Sequence, residues 1–375
     1  MRAGWSDVTG VQLDWMDARG CPAVRLTRRK NAWVVAACGF VPPPSGNLPT
    51  SWDDARKQPE WSLPSDFQAP LAALTVASPE QIVRQTSPDA LLADLVSTTA
   101  EASEPTAAKK KLGVRRAETT APAKQAASSD ALPAEVKSGV PVSANGLRFV
   151  TMPLAEEPFV IQSGLPEYQT LWLSRLLPEG RRPTAGSIQT VPSSLLSSLS
   201  EQPEFVAAGG TALAMFVLRE TVYLAGYQEG NLLLFRQCPG VSGWEALRKS
   251  VKLRLGLDEE LVDEILDDTL VDPRETMEPF VRPVLQQMEM SLDYMLNRHH
   301  LNVDRIFLMG LPSGARYWNQ MSEELTGRTL LAPSVFAGLE FGAKARKAQS
   351  ELNDSKSQVF LGAFGAARAA MEVSA

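Results

Sequence analysis

Histidine and cysteine are nearly absent from this chain. Its two histidines are neighbours, His299 and His300, and its three cysteines, Cys21, Cys38 and Cys238, show no CxxC spacing. So few imidazoles argue against most histidine-based catalysis and against a histidine-rich metal site. Scattered thiols supply neither zinc-ligand spacing nor a disulfide framework, and they suit a reducing cytoplasm. A membrane span needs about 20 apolar residues. The longest weakly polar stretch, 205–218, ends at Arg219-Glu220 and reads as buried core. The opening Met1-Arg2-Ala3-Gly4-Trp5-Ser6-Asp7 meets charge before an apolar core forms, which predicts no secretory signal. Positive charge is not in excess either: 37 Lys and Arg stand against 43 Asp and Glu, a net −6. Nothing global therefore favours a nucleic-acid partner. No Walker-type phosphate loop and no Ser/His/Asp arrangement is present.

What is present is an ordinary globular balance. The chain has 375 residues, 44% apolar and 21% charged, enough for two or three domains. Alternating apolar runs broken by turn residues predict a β-meander at 11–15, 23–27 and 32–40. A second one follows at 213–218, 222–227 and 232–236. One meander opens each half, so a duplicated sheet-plus-helix architecture is the economical reading.

Between the meanders, strands at 71–76 and 81–85 flank Ala77-Ser78-Pro79-Glu80 and read as a pair, and Ser87-Pro88-Asp89 opens a helix near 91–96. From 98 to 144 the chain is rich in Ala, Ser, Thr, Pro, Lys and Glu, and no aromatic residue occurs between Phe67 and Phe149. Such a segment buries too little apolar area to offset ordering entropy, so it is expected to be disordered. Its Lys109-Lys110-Lys111 and Arg115-Arg116 read as a solvated linker or as a basic arm for acidic headgroups or a partner. Order is expected to resume with a strand at 159–165, a helix at 168–177, a strand at 185–191 and a helix at 192–199.

Beyond the second meander, helices are expected at 244–255 and 259–266. A long one follows at 278–298, with Phe280, Val284, Met288, Leu292 and Leu296 on one stripe and Pro279 and Pro283 in its first turns. A strand at 305–309 precedes helices at 316–325, 341–352 and 361–371. His299-His300 at a helix end reads as a complement to the helix dipole. The acidic run 258–268 reads as a solvated face or a docking face. Trp5, Trp52 and Trp61 cover a groove or plug the core.

Several of these segments, in order, resemble the PilM family, the actin-like cytoplasmic proteins of type IV pilus machines, related to the cell-division protein FtsA. Val11-Gln12-Leu13-Asp14 and Ala23-Val24-Arg25-Leu26 stand where the family has its opening strands. Pro158-Phe159-Val160-Ile161-Gln162-Ser163-Gly164-Leu165-Pro166 and Gln228-Glu229-Gly230-Asn231-Leu232-Leu233-Leu234-Phe235-Arg236 follow. Met288-Glu289-Met290-Ser291-Leu292-Asp293-Tyr294 is similar to the family's Glu-Ile-Arg-Xaa-Ser-Leu-Asp-Tyr-Tyr helix, and Leu361-Gly362-Ala363-Phe364-Gly365-Ala366-Ala367-Arg368 to its closing helix. The resemblance covers most of the chain outside 98–144. It implies an α/β, duplicated actin-like (ASKHA/FtsA-like) fold with an inserted small α/β subdomain. The first actin-like subdomain would take 8–68, 180–200 and 358–375, and the inserted one 69–97 and 146–179. The disordered Ala/Ser/Lys-rich insertion would take 98–145, and the second actin-like subdomain 205–357.

The resemblance also implies a nucleotide cleft. Its elements would be two meander turns and a glycine turn, with small residues for close backbone approach and a carboxylate to organise Mg²⁺. Asp14 keeps the carboxylate of the first turn, but Trp15 and Met16 replace its small residues. Phe216 stands at the acidic position of the second meander and Leu218 at its glycine. The adenosine turn reads Gly310-Leu311-Pro312-Ser313-Gly314-Ala315, with one of the paired glycines lost. The cleft residues are therefore Asp14, Glu289, Gly310, Ser313 and Gly314. Each has a plainer reading: a strand-end carboxylate for Asp14, turn glycines, and a surface ion pair rather than a ribose contact for Glu289. The expectation is a pseudo-ATPase, not an enzyme, that binds nucleotide weakly or not at all. No cofactor is expected, with ATP and Mg²⁺ as the alternative.

The function implied is a cytoplasmic scaffold, peripheral at the inner membrane through its partners. It would hold the cytoplasmic tail of a PilN-like bitopic membrane protein in a groove involving 71–85 and 159–165 and link it to the pilus assembly ATPase. Whether it forms a homo-oligomer is left open. The alternatives are a GspL-like scaffold of type II secretion and a nucleotide-binding, FtsA-like polymerising ATPase.

Overall fold

The computed structural model describes residues 6–29, 32–57, 59, 61–77, 82–86, 147–153, 160–177, 188–199, 210–267, 272–352 and 354–372. The expected helix at 91–96, the segment 98–144 and Trp5 lie outside them.

Strands β1 (Asp7–Leu13), β2 (Cys21–Arg29) and β3 (Ala32–Val41) form an antiparallel meander. A short helix α1 (Trp52–Ala55) precedes β4 (Leu71–Val76), which returns parallel to β1, from Val8 opposite Leu71 to Leu13 opposite Val76. The chain then builds a separate antiparallel sheet from β5 (Ile82–Thr86), β6 (Leu147–Pro153) and β7 (Val160–Pro166), ordered β5-β7-β6, and closes it with α2 (Glu167–Ser174). β8 (Ile188–Thr190) rejoins the first sheet parallel to β4, and α3 (Val191–Leu199) follows.

The second half repeats this order. β9 (Thr211–Val217), β10 (Val222–Gln228) and β11 (Asn231–Gln237) form the meander. Helices α4 (Trp244–Leu255), α5 (Glu259–Asp267) and α6 (Arg274–His299) lead to β12 (Arg305–Met309), parallel to β9. α7 (Ala315–Thr326) leads to β13 (Leu330–Leu331), parallel to β12. The orders β3-β2-β1-β4-β8 and β11-β10-β9-β12-β13 are the same topology used twice. β14 (Glu340–Phe341) extends the first sheet beside β3. α8 (Arg346–Glu351), α9 (Asp354–Ser357) and α10 (Leu361–Glu372) end the described chain.

Three cores hold these layers. One face of the first sheet packs under α2 through Leu74, Leu165, Trp172 and Leu173. One face of the second packs on α4–α7 through Met215, Val284, Met288 and Trp318. The remaining faces meet in a shared core that runs from Val8 and Ala73 of the first sheet to Phe216 and Phe307 of the second, with Phe336, Phe360 and Phe364 between. Close approach makes that core. A Cβ at Gly10 would lie 2.0 Å from the Ala363 carbonyl oxygen, and one at Gly365 would lie 1.8 Å from that of Ser194. These two glycines let α10 settle between β1 and α3.

Four expectations are corrected. β4 does not pair with β5. All six of its residues are buried, as an unbroken apolar run is in a parallel strand covered on both faces. A boundary at 69 therefore gives the inserted unit a strand that belongs to the first sheet. Pro279 and Pro283 lie well inside α6, because Asp272 accepts the Arg274 amide at 3.0 Å and starts the helix earlier. Leu296 is exposed, and the buried stripe of α6 ends at Met295. The helix expected over 341–352 is only 346–351, because Phe341 is used in β14.

Candidate functional site

The carboxyl ends of the two sheets face each other across a cleft. The β1–β2 turn is tied by its own carboxylates: Asp14 Oδ1 accepts the Met16 amide at 2.9 Å, and Asp17 Oδ1 accepts the Arg19 amide at 3.0 Å. Gly20, at φ +104°, closes the turn and lies against the Val41 carbonyl. The β9–β10 turn closes with the Leu218 amide donating to Thr221 O at 2.9 Å. It is then fastened to the start of α4, where the Trp244 amide donates to Leu218 O and the Glu245 amide to Arg219 O. Gly243 makes this contact, since a Cβ there would lie 2.1 Å from Leu218 O.

Arg219 reaches from the second turn into the first. Its Nε lies 3.1 Å from Asp14 Oδ2, and its Nη2 lies 3.6 Å from Asp17 Oδ2. Its Nη1 lies 3.5 Å from Glu245 Oε2, and its guanidinium stacks over Trp244. Arg19 holds Asp17 Oδ2 from the other side at 2.8 Å. Arg248 continues the chain from Glu245 to Asp263, with Nε 3.1 Å from Asp263 Oδ1. Burial would push the Asp17 carboxyl up, but the hydrogen bonds and charge of Arg19, with the charge of Arg219, outweigh it and hold the group below the ordinary carboxylate range.

The third turn is also occupied by the chain itself. The Gly310 amide donates to Gln358 Oε1 at 2.7 Å, Ser313 Oγ to Asp263 Oδ1 at 2.9 Å, and the Gly314 amide to Asp267 Oδ1 at 3.0 Å. Leu218 covers Gly310: its Cδ2 lies 3.0 Å from where a Cβ would stand. Burial pushes the Asp267 carboxyl above its usual range, against the Gly314 amide, which favours the charged form. The acidic helix α5, expected as a solvated or docking face, keeps Glu264 and Asp267 exposed while Asp263 and Asp267 accept from the third turn.

Asp14, Gly310, Ser313 and Gly314 therefore come together around one cleft. Glu289 does not join them. It pairs with Arg328 at 3.1 Å, two residues before Leu330, which pairs with Ile306 at the opening end of β12, whereas Gly310 follows its closing end. Phe216 is fully buried in the shared core and presents nothing to the cleft. Phosphates need free N–H donors and cationic neighbours. Here the Gly310 and Gly314 amides are taken, and Asp14, Asp17 and Glu245 surround the guanidinium between the turns. These residues do not fit a nucleotide's phosphates. Among the described residues no cluster of three or more His, Cys, Asp or Glu is arranged to hold a metal ion. Beside the turns an open cleft of about 790 Å³ is lined by Arg19, Phe40, Asp263, Pro312, Lys356 and Phe360 among others. The sequence reading missed Arg219, Asp17, Glu245 and Gln358; the partners that join Arg219 to Asp14 and Gln358 to Gly310 lie far away along the chain.

The topology used twice, meander and parallel returns in each half, decides the fold class. The fold is actin-like. Neither a family model nor a curated protein matches the sequence. A solved PilM–PilN type IV pilus biogenesis complex has a chain similar to this one over 97% of this chain and 98% of that chain, at 16% identity and a TM-score of 0.51. A Bacteroides thetaiotaomicron protein with an actin-like ATPase fold and unknown function is similar at 9% identity and a TM-score of 0.38, over 88% of this chain and 91% of that one. ParM of Bacillus thuringiensis with ATP is similar at 12% identity and a TM-score of 0.23, over 48% and 54%. No helix among the described residues is long and apolar enough to cross a membrane.

A second concave feature lies between the segment 45–57, which carries α1, and α2. Trp52, half exposed, packs on Tyr168 with ring centroids 5.9 Å apart, and Gln169 Nε2 donates to Pro49 O at 3.1 Å. A cavity of about 470 Å³ opens there, lined by Leu48, Pro49, Asp54, Lys57, Pro59 and Trp172 among others. The groove expected at 71–85 and 159–165 is described only in part. All residues of β4 are buried, and Phe159 lies outside the described residues.

Proposed function

We propose that this chain is a scaffold of a type IV pilus inner-membrane assembly platform and a pseudo-ATPase, not an enzyme. Arg219 carries the reading. With its guanidinium between Asp14 and Glu245, the space between the two turns is filled by an ion pair of the chain itself. The likeness to a chain of the PilM–PilN complex over nearly the whole length supports the biological setting.

In this reading the partner is the cytoplasmic tail of a PilN-like membrane protein. The tail lies extended in the groove beside Pro49, Trp52 and Trp172, where prolines and aromatic rings offer apolar pockets and backbone groups offer hydrogen bonds. The chain sits at the inner membrane through that tail and couples it to the pilus assembly ATPase.

The test has two arms. Purified full-length protein is titrated with ATP and Mg²⁺ by calorimetry and assayed for phosphate release; the expected result is no saturable heat and no turnover. It is also titrated with a fluorescent peptide of the PilN-like tail from the same genome; the expected result is saturable binding. Turnover of ATP, or no binding of the tail peptide, overturns the proposal.

A further inference from the structure

The network at the cleft links the two halves of the molecule. Asp14, Asp17 and Arg19 belong to the first turn, and Arg219, Glu245 and Arg248 to the second half. The pairs are largely shielded from water: the Arg219 and Asp14 side chains are 19% and 16% exposed. In the nucleotide cleft that the resemblance to the PilM family implies, a ligand would lie between these two turns. Here the chemistry is inverted. The anions are side chains of this chain, and the bridging group is one fixed cation.

We propose that Arg219 replaces the nucleotide as the strap between the halves, holding the β1–β2 and β9–β10 turns together without any ligand. Three features support this. The guanidinium reaches carboxylates on both sides, Asp14 and Asp17 in one half and Glu245 in the other. It lies over the Trp244 ring, 5.0 Å from the centroid, and Trp244 itself donates its amide to Leu218 O. The acceptors are preset: Asp14 and Asp17 are already held by the Met16 and Arg19 amides, so little ordering remains for the ion pairs to impose. A planar fork serves several carboxylates at once, and a lysine ammonium, a point charge, does so less well. The inference rests on the pseudo-ATPase reading, which assigns no nucleotide to these turns.

The experiment is hydrogen exchange on the full-length, ATP-free protein, followed by mass spectrometry of peptides covering 14–20 and 217–222. Arg219→Gln removes the strap and leaves the carboxylates facing one another. Exchange in both turns is expected to rise about tenfold, as the loss of ion pairs shielded from water implies, while α6 and the shared core keep their protection. Arg219→Lys is expected to fall between the two. If Arg219→Gln loses protection everywhere, the Asp14→Asn/Asp17→Asn variant replaces it, because it removes the two carboxylate charges that Arg219 reaches in the first turn with side chains of nearly the same size, and leaves Arg219 its Glu245 partner. Both turns are expected to loosen there too. Unchanged exchange at both turns in a folded variant overturns the strap. Saturable ATP binding by the unaltered protein overturns the pseudo-ATPase reading instead, and the exchange result separates the two failures.

Discussion

The backbone amide of Gly310 donates to the side-chain oxygen of Gln358 at 2.7 Å, inside the buried junction of the two halves. An amide at the end of the β12 turn is thereby spent within the chain. Gln358 also donates through Nε2 to Pro333 O, so its amide joins two backbone segments. Gln358→Ala is expected to strand both groups and to cost about 1–3 kcal/mol, the usual loss for a buried polar group left unpaired. The urea midpoint checks this, and the variant is expected to gain no ATP binding, because Leu218 still covers Gly310.

Gly365 in α10 sets propensity against packing. Alanine in a helix interior is favoured over glycine by about 1 kcal/mol. At this position its Cβ would lie 1.8 Å from the Ser194 carbonyl oxygen, a contact no side-chain motion relieves. Gly365→Ala is expected to destabilise the protein by about 1–3 kcal/mol or more, as overpacking of a tight core does. A rise in melting temperature would show that α3 can move away.

Asp17 makes the cleft acid-sensitive. Its folded-state value lies below the ordinary 3.8, so the folded protein binds this proton less readily than the unfolded chain. The stability it contributes is complete above pH 3.8 and is lost as pH falls through the lower folded value. Asp17→Asn is expected to be less stable than the parent at pH 7, and the gap is expected to close as the pH is lowered toward and below 3.8. Urea midpoints across that range check it.

Trp52 separates binding from folding. Half of it is exposed, and it stands over Tyr168 between Thr50 and Asp54, which line the groove. Trp52→Ala is expected to weaken the tail peptide about tenfold, the scale of an interface aromatic worth more than 1 kcal/mol. Its effect on the melting temperature is expected to be small. Anisotropy with the labelled peptide, beside a thermal melt, reads both.

Much of the architecture is written locally. The two meanders were readable because alternation and turn residues act over a few positions, and α4 was located to the residue at 244–255. β4 misled because a strand buried on both faces has no alternation, so sequence neighbourhood suggested a false partner in β5. Pro279 misled because the Asp272 side chain, which accepts the Arg274 amide, and the packing of Met277 and Val281 carry α6 through it.

The cleft divides the same way. Trp15 and Met16 in the first turn, and Phe216 and Leu218 in the second meander, already disagreed with a phosphate site, because side-chain size at a turn is a property of single residues. What fills the cleft was beyond reach. Arg219 meets Asp14, Gln358 meets Gly310, and Asp263 meets Ser313 across distant stretches of chain. Nothing in local propensity or periodicity encodes such pairs, since charges and amides choose partners only after the two sheets and α10 have packed and fixed which turns face each other.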